Sequence, residues 1–166
     1  MPSVRRFQPN EWQLYRELRL AALRDAPDAF GSTLAREDAF TEQEWITRLA
    51  AGTASPLNHP IVAEDDDGRA LGLAWVRIEP SDTSTATLYQ VWIHPDARGR
   101  HIGMALLTSA VRWAQETGAR AIEFHVALGP DSAIAFYRRA GFMESGACGP
   151  LRPGSELLQQ PMRLPL

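Results

Sequence analysis

The sequence predicts an α/β fold in which a mixed sheet carries helices on its faces. Short runs rich in β-branched and aromatic residues alternate with amphipathic segments of helical period along the chain, and turn-forming residues separate them. At 166 residues the chain has the length of a single domain, 1–166, with a sizeable core.

The first half predicts three strands and two helices. Thr41 and Glu44 have the spacing of a capping box, Asn10 is a candidate N-cap, and Pro27 cannot continue a helix. The expected elements are a strand at 4–7, a helix from 10 to about 24, a loop at 27–38, a helix from 41 to 51, a loop at 52–60 and a hairpin of strands 61–64 and 70–78.

The second half continues the alternation. Asp131 is a candidate cap for a short helix, while Gly118 and Gly141 follow the ends of helical patterns. The expected elements are a strand at 86–93, a helix at 102–117, a strand at 121–126, a helix at 132–139 and strand-like pieces at 142–147 and 159–164.

The connection between the strand at 86–93 and the following helix is the strongest functional signal. Such a turn gathers unpaired backbone N–H groups at the positive end of the helix dipole, where phosphates bind. Arg98 and Arg100 add forked cationic donors, and Gly99 and Gly103 allow close backbone approach. The sequence therefore predicts a site for a phosphorylated small molecule.

Two common phosphate motifs do not fit this turn. A P-loop needs a lysine, and the chain contains none. A dinucleotide fingerprint needs three spaced glycines, and His101 stands where a glycine is wanted.

The turn instead resembles motif A of the GNAT superfamily of acetyl-CoA-dependent N-acetyltransferases. The matching residues are the strand end VWIHP at 91–95 and the loop RGRHIG at 98–103. The segment AIAFYRRAGF at 133–142 resembles motif B of the same superfamily. This resemblance implies a strongly twisted mixed sheet of six to seven strands with helices on both faces, whose fourth and fifth strands splay into a V-shaped slot.

The resemblance also implies a function. The chain would transfer the acetyl group of acetyl-CoA to a primary amine of a small molecule or peptide, by direct attack in a ternary complex. The alternative is a non-catalytic CoA-binding sensor or interaction domain that keeps the slot. Pro130, which stands where many members have an asparagine, and the absence of an acid on the fourth strand favour this alternative mildly.

Residues that the resemblance assigns to acetyl-CoA lie in three groups. Strand backbone would pair with the pantetheine arm, helped by a β-bulge that supplies unpaired groups. The turn backbone would wrap the pyrophosphate, and the aromatic pair of motif B would lie beside the thioester. The residues concerned are Val91, Trp92 and Ile93; Arg98, Gly99, Arg100, His101, Ile102, Gly103 and Met104; and Phe136 and Tyr137.

Two residues are candidates for the proton transfers. Tyr137 matches the motif B tyrosine that protonates the leaving thiolate, although its helical spacing also fits a packed core aromatic. His125 lies on the fifth strand, where the ribosomal-protein N-terminal acetylases place a glutamate, and histidine titrates in the useful range. A structural histidine, with water relaying the proton to backbone carbonyls, is the alternative.

The acceptor would bind between the N-terminal helices at Phe30, Gly31 and Ser32, with Trp45 and Trp75 as further candidates. Core packing explains these aromatics equally well. The sequence does not identify the acceptor.

Composition argues against several other functions. The net charge is −3, and acidic and basic residues are interspersed along the chain, which is unlike a nucleic-acid-binding surface. No apolar run is long enough to cross a membrane. A lone Cys148 fits a reducing cytoplasm. The acidic run at 65–67 is expected to be a solvated turn, so no metal is expected. The expected partners are acetyl-CoA and an amine acceptor. The sequence leaves open whether the chain forms a homodimer.

Overall fold

A computed structural model describes residues 2–166 of the chain. The strands are β1 (Ser3–Arg6), β2 (Asn58–Glu64), β3 (Ala70–Glu79), β4 (Asp82–Ile93), β5 (Ala121–Ala127), β6 (Met143–Glu144), β7 (Gly149–Pro150) and β8 (Leu158–Pro165). The helices are α1 (Trp12–Asp25), α2 (Leu34–Asp38), α3 (Glu42–Ala54), α4 (Ile102–Glu116) and α5 (Ile134–Arg139), and a 3₁₀ turn covers Pro95–Ala97.

All strands join one mixed sheet in the order β1-β2-β3-β4-β5-β8-β6, with β7 also paired to β8. The β4–β5 pair is parallel, and its register covers only 85–88 against 121–124. Beyond Leu88 and Phe124 the two strands no longer pair, so they diverge toward the carboxyl end of β4. This confirms the expected twisted α/β sheet with a V-shaped slot between the fourth and fifth strands.

The sheet separates two hydrophobic cores, which confirms the prediction of helices on both faces. Alternation of side chains along β2 sends Ile61 and Ala63 to one face and Val62 to the other. One core packs β2–β5 against α4, around Leu106 and Ala110. The opposite core packs α1 and α3 on the other face. Its fully buried side chains include Phe7, Tyr15, Leu23, Trp45 and Leu49.

Several element boundaries differ from the sequence prediction. Helix α1 has Glu11, not Asn10, at its N-cap, and no side chain caps it. Asp131 does not cap α5 either, because the helix begins later, at Ile134, whose N–H donates to Ser132 Oγ at 3.3 Å. The capping box of α3 is present as predicted, with Thr41 and Glu44 joined by bonds of 3.2 and 2.6 Å.

Three further differences concern a helix, the number of strands and a loop. Residues 34–38, expected to be loop, form α2, which Thr33 caps through Arg36 N–H. Two of the eight strands, β6 and β7, are only two residues long, which accounts for the excess over the predicted six to seven. The loop expected at 52–60 is shorter, because α3 runs to Ala54 and β2 starts at Asn58.

Candidate functional site

A cleft of about 1470 Å³ opens where β4 and β5 diverge. One wall is the end of β4 with the start of α4, the other is β5 with α5, and the loop between α1 and α2 closes one end. All the residues that the resemblance assigned to acetyl-CoA except Arg100 line this cleft, and so do the acceptor candidates Phe30, Gly31 and Ser32. The structure therefore brings together residues from 19 to 159 of the chain.

Strand β4 carries a bulge on the cleft wall. Trp92 pairs with Leu73 and Tyr89 with Trp75, so Gln90 and Val91 together face the single residue Ala74. Gln90 has a φ of 59°, a left-handed conformation that is rare for a side-chain-bearing residue. A bulge leaves backbone groups unpaired, as the sequence analysis expected for this strand.

The bulge is held in place from the helical layer. Tyr15 of α1 is fully buried, and its hydroxyl donates to Gln90 Oε1 at 2.6 Å. Burial raises the pKa of Tyr15 to about 12, so its hydroxyl stays protonated. Sequence reasoning assigns no role to Gln90, because its anchor Tyr15 lies 75 residues earlier in the chain.

The start of α4 has the geometry of an anion site. His101 occupies the N-cap with φ 62°, and its side chain makes no capping bond, so the first N–H groups of the helix lack a side-chain partner. Gly99 has a φ of 76°, which glycine adopts without a steric cost. Within residues 99–101, Gly99 and His101 have left-handed backbone conformations, and these turn the chain sharply into the helix. His101 thus adopts a conformation that favours glycine.

The two arginines of this turn have different surroundings. Arg98 binds the Asp25 carboxylate at the end of α1 and donates to Ile93 O at 3.2 Å. Trp92 Nε1 donates to the same carboxylate at 2.9 Å, and this bond, with the bond from Arg98, lowers the pKa of Asp25 despite partial burial. Arg100 is exposed and lies outside the cleft wall. Asp25 thus connects α1 to both β4 and the turn.

Gly103 lies one residue inside α4, beside the apolar part of the cleft. A Cβ at this position would stand 3.5 Å from Ile93 Cδ1 and 3.5 Å from Phe136 Cζ, which is ordinary contact. Met104, the next residue, is exposed over 41 % of its surface. The cleft is therefore narrow at Gly103 and open at Met104.

Tyr137 is both a cleft residue and a packed aromatic. Its ring lies among Phe124, Phe136 and Phe142, with centroid distances of 4.5, 5.1 and 5.4 Å. Burial raises the pKa of Tyr137 well above the usual value for tyrosine, so the hydroxyl is a donor at any ordinary pH. The surroundings fit both readings that the sequence left open.

His125 lies on the β5 wall, where it is exposed and opposite Pro161 of β8 in the register. Its neighbours on the strand, Phe124 and Val126, also line the cleft. Pro130 lies in the loop after β5, on the same wall.

The loop between α1 and α2 forms the other end of the cleft. Phe30, Gly31 and Ser32 all line it. Arg152, from the segment before β8, donates to Pro27 O and Phe30 O at 2.9 and 2.8 Å. Trp45 and Trp75, the other acceptor candidates, belong to the core beneath and are not among the lining residues, since burial against α1 removes them from the cleft surface.

Three charged residues at this end were missed by the sequence analysis. Arg19, Glu37 and Arg48 come from α1, α2 and α3, and they meet at the cleft. Burial alone would raise the pKa of Glu37, but hydrogen bonds and charge from the two arginines outweigh it and lower the pKa to about 2. The one available signal was Arg19 standing four residues after Tyr15, on the same face of α1.

Within residues 2–166 no group of three or more His, Cys, Asp or Glu side chains is arranged to hold a metal ion. The same residues include no helix that is long and apolar enough to span a bilayer.

Comparisons with known proteins agree with this architecture. A mycothiol acetyltransferase of Pseudarthrobacter chlorophenolicus is 28 % identical over 144 residues, which are 84 % of this chain and 42 % of that protein. This chain thus spans less than half the length of that curated relative. The acetyltransferase of the GNAT family from Streptococcus pneumoniae superposes with a TM-score of 0.79 at 17 % identity, over all of both chains.

A second solved neighbour carries the cofactor. The protein yncA from Salmonella typhimurium, solved with acetyl-CoA, has a TM-score of 0.80 at 18 % identity over 100 % of this chain and 94 % of that one. At such identities these two structures establish the fold alone. The family model of the acetyltransferase (GNAT) family matches residues 14–142, from the first helix to the end of motif B. The chain belongs to the acetyltransferase (GNAT) family.

Proposed function

We propose that this protein transfers the acetyl group of acetyl-CoA to a primary amine by direct attack in a ternary complex. The observation that carries the proposal is one continuous cleft with a bulged strand end and an uncapped helix N-terminus on the same wall. A bulged strand offers backbone groups to an extended amide-bearing arm, and a helix start offers N–H groups to a pyrophosphate. Acetyl-CoA has both parts, in that order.

The residues assigned to acetyl-CoA are then the ones expected from motif A. The backbone of Val91, Trp92 and Ile93 would pair with the pantetheine arm, and the backbone from Gly99 to Met104 would wrap the pyrophosphate. Arg98 acts mainly through Asp25, which fixes the turn, and Arg100 adds positive charge from outside the cleft.

In the reaction the neutral amine nitrogen attacks the thioester carbonyl carbon, so that a C–N bond forms and the C–S bond breaks. The developing oxyanion would be stabilised by an unpaired N–H of the bulge. The thiolate leaves with the electron pair of the C–S bond and takes a proton from the Tyr137 hydroxyl. The amine nitrogen loses one proton to a base, and a proton returns from that base through solvent to the Tyr137 oxygen. The products are an amide and CoA with a free thiol, and both proton-transfer groups are restored.

The base is proposed to be His125 or a chain of water molecules. His125 is exposed on the β5 wall, so water reaches it. The cleft contains no carboxylate on β4: its lining residues there run from Thr87 to Ile93 and include no acid.

The rival function is a CoA-binding sensor or interaction domain without turnover. To separate the two, free CoA is followed with a thiol reagent while peptides, polyamines, amino acids and aminoglycosides are offered with acetyl-CoA. Amine-dependent CoA release above the hydrolysis rate supports the enzyme. Tight CoA binding by calorimetry, with no release over the whole panel, would replace the proposal by the rival.

The proposed setting is the cytoplasm, where the lone thiol of Cys148 would stay reduced. The proposed acceptor is a small molecule or a peptide rather than a nucleic acid or a membrane.

A further inference from the structure

The acceptor end of the cleft contains a cluster with two positive charges and one negative charge. Arg19 binds the Glu37 carboxylate through two hydrogen bonds, with Nε 2.9 Å from Oε1 and Nη2 2.8 Å from Oε2. Arg48 Nη1 donates to the same Oε1 at 2.7 Å. Arg19 and Glu37 are 4 % and 1 % exposed, so a net positive charge lies in a largely dry place.

Some N–H donors of the two arginines make no hydrogen bond within the cluster. Arg19 uses two of its nitrogens on Glu37, and its third, Nη1, is buried without a hydrogen-bond partner among residues 2–166. Arg48 gives only Nη1 to Glu37, and its side chain keeps 28 % of its surface exposed. An unpaired buried N–H costs free energy, so a further acceptor atom at this place would be favourable.

The cluster lies close to the proposed reaction centre. The guanidinium carbon of Arg48 stands 5.6 Å from the centre of the Tyr15 ring, and the hydroxyl of that ring bonds Gln90 at the bulge. Phe30 stacks on Arg19, with 4.9 Å from the guanidinium carbon to the ring centre. Arg19, Glu37, Arg48 and Phe30 all line the cleft. One tyrosine side chain therefore separates the positive charge from the bulge.

We infer that this cluster binds an anionic group of the acceptor, so that the acetylated amine belongs to a molecule that also carries a carboxylate or a similar oxyanion, as an amino acid does. This inference rests on the proposed acetyl transfer. A carboxylate would accept from the nitrogens of Arg48 that Glu37 does not use, and it would neutralise the excess charge of the cluster. Polyamines and other polycations would be repelled from the same place.

The test uses matched acceptors that differ only at the anion. Glycine, alanine, methionine, phenylalanine and glutamate are each compared with the α-carboxamide of the same residue, and kcat/KM is obtained from CoA release. For the preferred side chain we expect the acid to exceed the amide by about tenfold or more, which corresponds to the loss of one good charge-assisted contact. Equal or higher kcat/KM for every amide overturns the inference.

Variants show whether Arg48 is responsible. In Arg48→Gln the acid-to-amide ratio should fall toward one, mainly through KM for the acid, while Arg48→Lys should keep part of it. Arg16→Gln removes an exposed arginine of α1 that does not line the cleft, so it should leave the ratio unchanged. The acid and amide differ in amine basicity, but this difference is the same for every variant, so the change in ratio reports on the site. An unchanged ratio in folded Arg48→Gln would contradict the assignment.

Failure of the inference and failure of the proposed function are distinguishable. If no amine releases CoA, the acetyl-transfer proposal fails, and calorimetry of the same acid and amide pairs on the CoA-bound protein then decides on the anion site alone. Acid-selective binding that Arg48→Gln abolishes supports the site, and its absence overturns it. If Arg48→Gln does not fold, the acid-to-amide ratios of the unaltered protein and of Arg48→Lys decide.

Discussion

The two ends of the cleft are built in different ways. The proposed cofactor end is made of backbone, namely the bulge at Gln90, the left-handed residues Gly99 and His101, and the start of α4. The proposed acceptor end is made of side chains from three helices, with Arg19, Glu37 and Arg48 at its centre. A backbone site tolerates many side chains and constrains a few glycines, whereas a side-chain site fails when one partner is removed.

The largest expected effect is on the acceptor end. Glu37→Gln removes the acid that pairs both arginines and leaves Arg19 buried with its charge uncompensated, so we expect a loss of about 3–5 kcal/mol in the free energy of unfolding. Urea denaturation measures it, with Asp38→Asn, an exposed neighbour, as the control. A loss below about 1 kcal/mol, the range of surface pairs, would mean that the cluster is not a stabilising element of the helical layer.

The same glutamate predicts a pH dependence. The pKa of Glu37 is lowered from its usual 4.5 to about 2 in the folded protein. Its contribution to stability is therefore fully present above the unfolded value and is lost as the pH falls from about 4.5 toward 2. Thermal unfolding followed over this window should show a steeper decline in the unaltered protein than in Glu37→Gln. Parallel declines would disprove the coupling.

The next effect separates the two readings of Tyr137. Tyr137→Phe keeps the ring among its three phenylalanines but removes the hydroxyl, so we expect kcat to fall by about 10²-fold while the melting temperature and acetyl-CoA affinity change little. Because the pKa of Tyr137 is raised, any alkaline limb due to it should lie above pH 10, the usual tyrosine value. Unchanged kcat from neutral to alkaline pH would assign the residue to packing alone.

A graded effect is expected at Gly103. The Cβ of alanine fits at 3.5 Å from Ile93 and Phe136, but the γ-methyl groups of valine extend into the narrow part of the cleft. Gly103→Val should weaken acetyl-CoA binding by about tenfold or more, close to 1.4 kcal/mol, and Gly103→Ala by less. Calorimetry on both variants tests this, and equal affinity in folded Gly103→Val would place the cofactor elsewhere.

The smallest expected effect lies where the two ends meet. Asp25→Asn and Arg98→Gln, alone and together, form a double-mutant cycle for the exposed ion pair between α1 and the turn. We expect a coupling of about 0.5–1 kcal/mol in unfolding free energy, because water screens this pair. A coupling near zero would mean that Trp92, not Arg98, is the effective partner of Asp25.

The strand, turn and helix start of the proposed cofactor end could be predicted from the sequence because their signals are local. The strand, the turn and the start of α4 lie within 86–107, and the family resemblance adds one further local segment, 133–142. The bulge was expected from the family resemblance, which calls for unpaired backbone groups on this strand. Arg98 shows the limit of local reasoning, since its partner Asp25 is 73 residues away.

At the proposed acceptor end the lining residues Phe30, Gly31 and Ser32 were predicted, but the charged cluster could not be, because its side chains come from three helices and meet only in the fold. One of these helices, α2, is five residues long and was expected to be loop. Its N-cap at Thr33 lacks the glutamate that completes a capping box, and its single buried position is the charged Glu37, so it carries no apolar stripe to reveal it. Buried charge is the opposite of the pattern that hydrophobic periodicity detects.

The short seam between β4 and β5 has a mechanical consequence. The sheet has two halves, one of β1–β4 and the other of β5, β8 and the short β6 and β7. Among residues 2–166, four residue pairs between β4 and β5 join these halves. An extended ligand lying in the gap would act as a temporary extra strand, so the proposed cofactor would also be a part of the architecture that is replaced at every turnover. Cohesion between the two half-sheets would then rise and fall with the reaction. Within 89–93 and 125–127, the N–H groups that face the gap would exchange more slowly in the loaded protein than in the empty one.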